Sequence, residues 1–169
     1  MAAAGRTAAE ALVLRYLAAF GPATVKDAQA WSGLTRLREV VAGLRPGPAV
    51  FRGEDGQELF DLPDAPRPDP AVPAPARFLA ALDNVVLGYA DRTRLMTPEQ
   101  RPYTIVEAAL TVDGFVRGLW SLRGGTLTIK LFAPLRPADE DAVTAEGGRL
   151  LSFAAAGEGS HDIRFVCHT

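Results

Sequence analysis

The chain has 169 residues, of which 48% are hydrophobic and 22% are charged, and its formal net charge is −2. This composition is that of a globular protein and excludes a disordered chain, while no apolar run approaches the roughly 18 residues that span a bilayer. The single cysteine, Cys167, excludes an internal disulfide and a multi-cysteine metal site.

The first predicted element is an amphipathic helix over residues 7–20, because apolar side chains recur there at helical spacing. Gly21-Pro22 ends this helix. Glu10 and Arg15 lie within the alanine-rich N-terminal stretch, where a secretory signal would carry no charge. We therefore expect a cytoplasmic protein.

Two short helices follow. Thr24 begins the second helix, with Asp27 three residues later as an approximate capping box, and Gly33 lies at its end. Thr35 is the N-cap candidate of the third helix, which extends to about Leu44. Helix, tight turn and helix in this order indicate a helix-turn-helix.

A predicted hairpin completes the first domain. Residues 49–51 and 57–60 form two extended runs around Asp55-Gly56, a dipeptide typical of hairpin turns. Three helices followed by a hairpin predict a winged helix-turn-helix over residues 1–62.

A proline-rich linker follows over residues 63–76, since residues 61–75 contain six prolines and little that could form a core. Residues 77–169 are predicted to form a second domain. The run 78–87 suits either a helix or a buried strand, and both alternatives stay open.

The rest of the second domain is predicted to be a small antiparallel sheet with a C-terminal helix. Asp113-Gly114 and Gly124-Gly125 mark hairpin turns between strands. The predicted strands and the helix cover residues 103–111, 115–122, 126–132, 137–156 (helix) and 162–167. The whole chain is therefore expected to be α+β.

Four stretches resemble a bacterial family of winged-helix DNA-binding proteins that includes crosslink-repair DNA glycosylases. They occur in the family's order and cover most of the chain: RYLAAFGPATVKDAQAWSGLTRLREVVAGL, ELFDLPDAP, PARFLAALDNVVLGYADRTRLM and LTVDGFVRGLWSL. The resemblance implies a C-terminal portion only, because family members are longer at their N-terminal side. It also implies DNA as a partner.

Two departures from the family bear on activity. The resemblance places a catalytic pair of glutamines, one residue apart, in the missing N-terminal portion. The glutamines here are Gln29, Gln57 and Gln100, and none has that spacing. A proline and an aromatic residue common in the family are replaced by Ala80 and Leu82. We therefore expect no enzyme activity from this chain alone.

The predicted DNA-binding residues lie mainly around the third helix. Four arginines occur between residues 35 and 52, against the single acid Glu39, and guanidinium groups bind phosphate or guanine. In a helix-turn-helix, side chains near the start of the second helix enter the major groove. The candidates in the first domain are Thr35, Arg36, Arg38, Arg45 and Arg52.

Two observations weaken the DNA hypothesis. Glu54 and Asp55 put acids at the hairpin tip, and residues 1–62 carry seven basic and seven acidic side chains. A solvated helix face on an inert core is the alternative interpretation, and winged helices also bind proteins. Arg92 and Arg94 are further DNA candidates by resemblance. The alternative there is a buried Asp91–Arg92 pair that fixes the local chain.

The remaining chemistry-bearing residues favour structural roles. Asp83-Asn84 is interpreted as a local hydrogen-bonding device, and Trp31 and Trp120 as core residues. His161, Cys167 and His168 are expected in a frayed tail and are too few to hold a metal. No cofactor is predicted.

Three functions therefore stand as hypotheses. The first is a winged-helix protein that binds duplex DNA. The second is a fragment or subunit of a DNA glycosylase, completed by a protein partner that supplies the N-terminal portion. The third is a protein-interaction module without DNA affinity.

Overall fold

The structure is a computed structural model that describes the backbone of residues 2–45 and 47–168, and side chains from residue 8 onward. The chain forms two compact units. Unit 1 comprises Met1–Pro70 together with Leu87–Asp91, and unit 2 comprises Ala71–Val86 together with Arg92–Thr169. Each unit has its own hydrophobic core.

Unit 1 contains three helices followed by a two-stranded antiparallel hairpin, in the predicted order. Its elements are α1 (Ala2–Phe20), α2 (Val25–Ser32), α3 (Leu37–Gly43), β1 (Ala49–Arg52) and β2 (Glu58–Asp61). The first helix is longer than predicted at its N-terminal end. Gly56 has a φ of 76° in the hairpin turn, a conformation that favours glycine.

The connection between α1 and α2 is tied to the hairpin. Ala23 and Phe60 exchange two backbone hydrogen bonds of 2.9 and 2.8 Å, which adds a short bridge beside β2. Beneath it the helices bury a core that includes Tyr16, Leu37 and Val41. Trp31 packs against this core and contacts the Tyr16 ring, as predicted.

Residues 87–91 return to unit 1 after the chain has entered unit 2. The Tyr16 hydroxyl donates a 2.6 Å hydrogen bond to the carbonyl of Gly88. Asp27 completes the predicted capping box with Thr24, and its second carboxylate oxygen accepts the backbone N–H of Ala90 at 2.8 Å. A buried carboxylate thus caps α2 and fixes the returning segment at the same time.

Unit 2 is built on a five-stranded sheet with one long helix. Its elements are β3 (Arg77–Phe78), α5 (Arg101–Thr104), β4 (Ala108–Val112), β5 (Phe115–Arg123), β6 (Thr126–Leu131), α6 (Pro137–Ala154) and β7 (Asp162–Cys167). The run 78–87 is mostly loop between β3 and a single helical turn, α4 (Asn84–Leu87), where the chain passes to unit 1. Neither alternative offered by the sequence describes this run.

The sheet has the order β3-β4-β5-β6-β7 and is mixed rather than antiparallel throughout. Asp113, Gly114, Gly124 and Gly125 all have positive φ, which confirms both predicted hairpin turns. The last strand, β7, is parallel to β6. A parallel neighbour requires a crossover connection, and α6 provides it.

The predicted strand over residues 103–111 is wrong in its first part. The carbonyl of Gln100 accepts N–H groups from Tyr103 and Thr104, which makes a helical turn. Pro102 has no N–H to donate to a strand ladder, which disfavours an extended pairing at this point. The strand begins only at Ala108.

Helix α6 packs closely on one face of the sheet. A Cβ atom at Gly147 would stand 2.9 Å from Cδ2 of Leu127 and 3.1 Å from Cδ1 of Ile163. Glycine at this position therefore lets the helix approach the strands. Among the described residues, no helix is both long and apolar enough to cross a membrane.

Candidate nucleic-acid interface

The turn between α2 and α3 places two candidates in solvent. Arg36 is the N-cap of α3 and has a left-handed backbone, with φ 60° and ψ 25°. The N–H of Leu37, the first helical residue, is bound by the Oε1 of Gln29 at 3.0 Å. The side chain of Gln29 therefore accepts the N–H that an N-cap residue would otherwise bind. The predicted N-cap at Thr35 is wrong, because Arg36 occupies that position. Thr35 and Arg36 are both exposed.

Arg38 and Arg52 both neighbour Glu58. Nη1 of Arg38 lies 3.6 Å from a carboxylate oxygen of Glu58, and both side chains are exposed. Arg52 is the register partner of Glu58 across the hairpin, so their side chains share one face of the ribbon. The fold thus brings the start of α3 and the base of the hairpin onto one surface of unit 1.

Arg45 has a structural task at the end of α3. Its Nη1 donates to the carbonyls of Ala42 at 3.1 Å and Leu44 at 2.6 Å. A cation beside the last carbonyls of a helix satisfies groups that have no partner within the helix. Arg45 is exposed, but one of its two terminal nitrogens is already engaged.

The electrostatic balance of this surface is close to neutral. Arg36 and Arg52 make no ion pair with any other residue described in the structure. Glu39 and Glu58 are the acids on the same elements, and the hairpin tip adds Glu54 and Asp55, all exposed. Two free guanidinium groups beside several carboxylates can bind phosphate, with an attraction that salt would weaken strongly.

Arg92 and Arg94 belong to unit 2 and are described separately from the surface above. Arg92 is half-buried, and its backbone carbonyl accepts N–H groups from Leu95 and Met96 at 2.9 and 3.0 Å. Burial, and then the nearby charge of Arg101, lower the pKa of Arg92. Arg94 is exposed, and so is Asp91, which the alternative interpretation placed in a buried pair with Arg92.

Several other sequence candidates have local structural roles. Asp83 accepts the N–H of Val85 at 2.8 Å, which confirms the hydrogen-bonding device. Trp120 donates its indole N–H to the carbonyl of Leu79 at 2.8 Å and packs against the sheet core, as predicted. The ring of His168 packs against the rings of Tyr103 and Phe132, so the prediction that His168 lies in a frayed tail is wrong.

Sequence reasoning missed the residues that support the interface. Gln29 caps α3 from eight residues upstream, and Glu58 sits across the turn from Arg52; neither pattern has a sequence signature. Arg67 was assigned only to the linker. Its Nη2 lies 3.5 Å from Oδ2 of the buried Asp61, and its guanidinium group stacks on the ring of Phe51. Within the described part of the chain, no group of three metal-ligating side chains could hold an ion.

The family can be identified from a comparison of sequences. The profile described as DNA glycosylase AlkZ-like matches residues 2–153, about nine tenths of the chain. The chain belongs to the AlkZ-like DNA glycosylase family. This membership confirms the kinship with DNA glycosylases that the four stretches predicted. No curated protein gives a significant match.

A solved structure shares the fold of this AlkZ-like chain. The Streptomyces sahachiroi DNA glycosylase AlkZ aligns with a TM-score of 0.76 and 23% identity, over 95% of this chain. The alignment spans 46% of that protein. This chain therefore corresponds to about half the length of the AlkZ structure it resembles.

Proposed function

We propose that this AlkZ-like chain binds duplex DNA through a winged helix-turn-helix in unit 1. Helix α3 would be the recognition helix and the β1–β2 hairpin would be the wing. The observation that carries the proposal is the exposed arginine surface at the start of α3 and the base of the hairpin, formed by Arg36, Arg38 and Arg52. A DNA repair protein in the bacterial cytoplasm fits this role.

Each candidate residue would have a distinct part. Arg36 and Arg38 lead α3 and would meet phosphates or base edges in the major groove, with Thr35 beside them. Arg52 would reach a phosphate from the hairpin, and Arg45 would add charge while holding the end of α3. Arg92 and Arg94 would add phosphate contacts from unit 2.

The proposal assigns binding, rather than base excision, to this chain. Two of its three glutamines are occupied by structural hydrogen bonds. Gln29 caps α3, and Gln100 accepts the N–H of Thr97 at 2.9 Å and donates to the carbonyl of Val116 at 3.3 Å. Gln57 is exposed in the hairpin loop. Hydrolysis of a glycosidic bond needs a polar group that positions water at the sugar, and none of these glutamines is free in a pocket to do so.

The deciding experiment reverses the charge at the start of α3. We expect Arg36→Glu combined with Arg38→Glu to abolish binding of a labelled duplex at low salt, measured by fluorescence anisotropy. Single Arg→Gln changes should each reduce the slope of log affinity against log salt by about 1, since each removes one phosphate contact.

The matched control makes the same charge change elsewhere. Arg15→Glu on α1 combined with Arg149→Glu on α6 alters the net charge equally, and both side chains are exposed. If the α3 variant and this control lose affinity to the same extent, the interface is not where we propose. Unchanged binding by the α3 variant, or no duplex binding by the wild type, would reject the function.

A second candidate is that the chain is one subunit or fragment of a DNA glycosylase. The observation that favours it is the extent of the match, which reaches less than half of the AlkZ structure. A partner polypeptide would then supply the N-terminal portion and the glutamine pair. If the wild type binds no duplex, the third hypothesis is favoured, which is a winged-helix protein-interaction module without DNA affinity.

A further inference from the structure

Leu82 has an unusual backbone for its residue type. Its φ is 61°, in the left-handed region, where an L-residue with a Cβ is crowded and where leucine has no side-chain hydrogen bond to compensate. Its side chain is also in the open, since Leu82 is 62% exposed. A bulky apolar side chain is therefore held in a costly conformation and projects into solvent.

The loop around Leu82 is anchored at both ends within unit 2. Before it, the N–H of Leu79 binds the carbonyl of Ala109 at 2.8 Å, and the carbonyl of Leu79 accepts the indole N–H of Trp120 at 2.8 Å. After it, Val86 is buried, and its N–H donates to the carbonyl of Asp83 at 3.0 Å. The hydrogen bonds at Leu79 and the burial of Val86 therefore hold the chain on both sides of Leu82.

The neighbours of Leu82 in this loop, which we call the Leu82 tip (residues 80–85), are small or polar, and Asp83 and Asn84 follow Leu82 directly. Ala80 and Ala81 are small and exposed, and Val85 is 44% exposed. Val86, directly behind, is buried. One long apolar side chain among small and polar neighbours offers little apolar area for a protein interface, which buries several hundred Å2 on each partner. It fits the gap between two stacked bases instead.

Backbone strain that persists at an exposed position often serves a function, and DNA-binding proteins commonly insert a leucine between base steps to unstack them. We propose that Leu82 is an apolar wedge that enters the DNA base stack next to a weakly paired or damaged base. This inference rests on the proposed DNA-binding function. The arginines of unit 1 would bind phosphates. The Leu82 tip would distinguish a fully stacked duplex from one in which a base is weakly paired or damaged.

The wedge can be tested by comparing two duplexes, one fully paired and one with a single unpaired base. Both carry 2-aminopurine beside the test position, because its fluorescence rises when it is unstacked. We expect the wild type to prefer the duplex with the unpaired base, where opening the stack costs less, and to raise the 2-aminopurine signal at saturation.

Substitutions at Leu82 separate the wedge from fold stability. Leu82→Asn and Leu82→Gly suit the left-handed backbone, so we expect Leu82→Gly to raise the thermal midpoint by about 2–4 °C. Both variants should lose the 2-aminopurine signal, and their preference for the duplex with the unpaired base should fall about tenfold. The reason is that they lack the leucine side chain that would be buried between the bases. Leu82→Phe should keep both.

Phe153→Ala is the matched control, because Phe153 is a large side chain on α6 and is 87% exposed. It should change neither the signal nor the preference. If Leu82→Asn and Leu82→Gly keep the wild-type 2-aminopurine signal and preference, the wedge is wrong. The proposed DNA binding would stand, since these variants would still bind duplex. Failure of the wild type to bind either duplex would overturn the wedge together with the proposed function.

Discussion

Glu58 offsets part of the positive charge on the arginine surface that we propose as the DNA-binding site. Its carboxylate lies 3.6 Å from Arg38 and faces Arg52 across the hairpin. An exposed ion pair of this kind adds about 1 kcal/mol or less to stability, so its larger effect is electrostatic. The acid repels a phosphate that approaches either arginine.

Removing this acid should strengthen DNA binding. We expect Glu58→Gln to raise duplex affinity by about threefold at low salt, with a smaller gain at high salt, because screening weakens the repulsion. Anisotropy titrations at two salt concentrations would measure this. Glu140→Gln, an exposed acid at the start of α6, changes the net charge equally and should have little effect. Equal gains from the two variants would place the interface elsewhere.

Among the elements, α6 contains two adjacent glycines with different surroundings. At Gly147 a Cβ would meet Leu127 and Ile163, whereas at Gly148 a Cβ has no neighbour within 4 Å among the described residues. Alanine in a helix interior is favoured over glycine by about 1 kcal/mol.

The two alanine variants should therefore differ in stability. We expect Gly148→Ala to stabilise the protein by about 0.5–1 kcal/mol, and Gly147→Ala to gain less or to destabilise it, because the helix must move away from the sheet. Thermal or urea unfolding would measure the difference. Equal stabilisation by both variants would show that α6 is not held this close to the strands.

The elements also show what sequence patterns can and cannot predict. Local signals were sufficient for the capping box at Thr24 and for both hairpin turns of unit 2, because a few adjacent residues determine them. The start of α3 depends on the side chain of Gln29, which is distant in sequence. The parallel pairing of β7 with β6 likewise depends on contacts that are distant in sequence.

The candidate site was predictable only in outline. Clustered arginines after a helix-turn-helix pattern pointed to Arg36, Arg38 and Arg52. Nothing local indicated that Arg45 would bind the carbonyls that end α3, or that Glu58 would pair with Arg38. The left-handed backbone of Leu82 also has no sequence signal, since leucine rarely adopts it.

For the whole molecule, the question is whether this chain releases bases from DNA on its own. We expect the purified chain, incubated with alkylated or crosslinked duplex, to produce no abasic sites above a protein-free sample. The reason is that no glutamine pair with the family's spacing occurs in the sequence. Alkali cleavage of end-labelled strands would detect such sites.

This assay needs a positive control with the same substrate. The Streptomyces sahachiroi DNA glycosylase AlkZ, of which this chain matches 46%, provides one. Base release by this chain alone would contradict the assignment of a binding role. Release only after addition of a second polypeptide would support the subunit hypothesis.

The return of residues 87–91 to unit 1 has a consequence for gene recombination and for protein engineering. The path of the chain passes from one unit to the other three times, near residues 70, 86 and 91. No single gene breakpoint therefore separates the two units cleanly, because residues 71–86 of unit 2 lie between the two parts of unit 1. A fusion that takes only the first 70 residues loses the partners of Tyr16 and Asp27, so we expect a stable transfer of unit 1 to need residues 1–91.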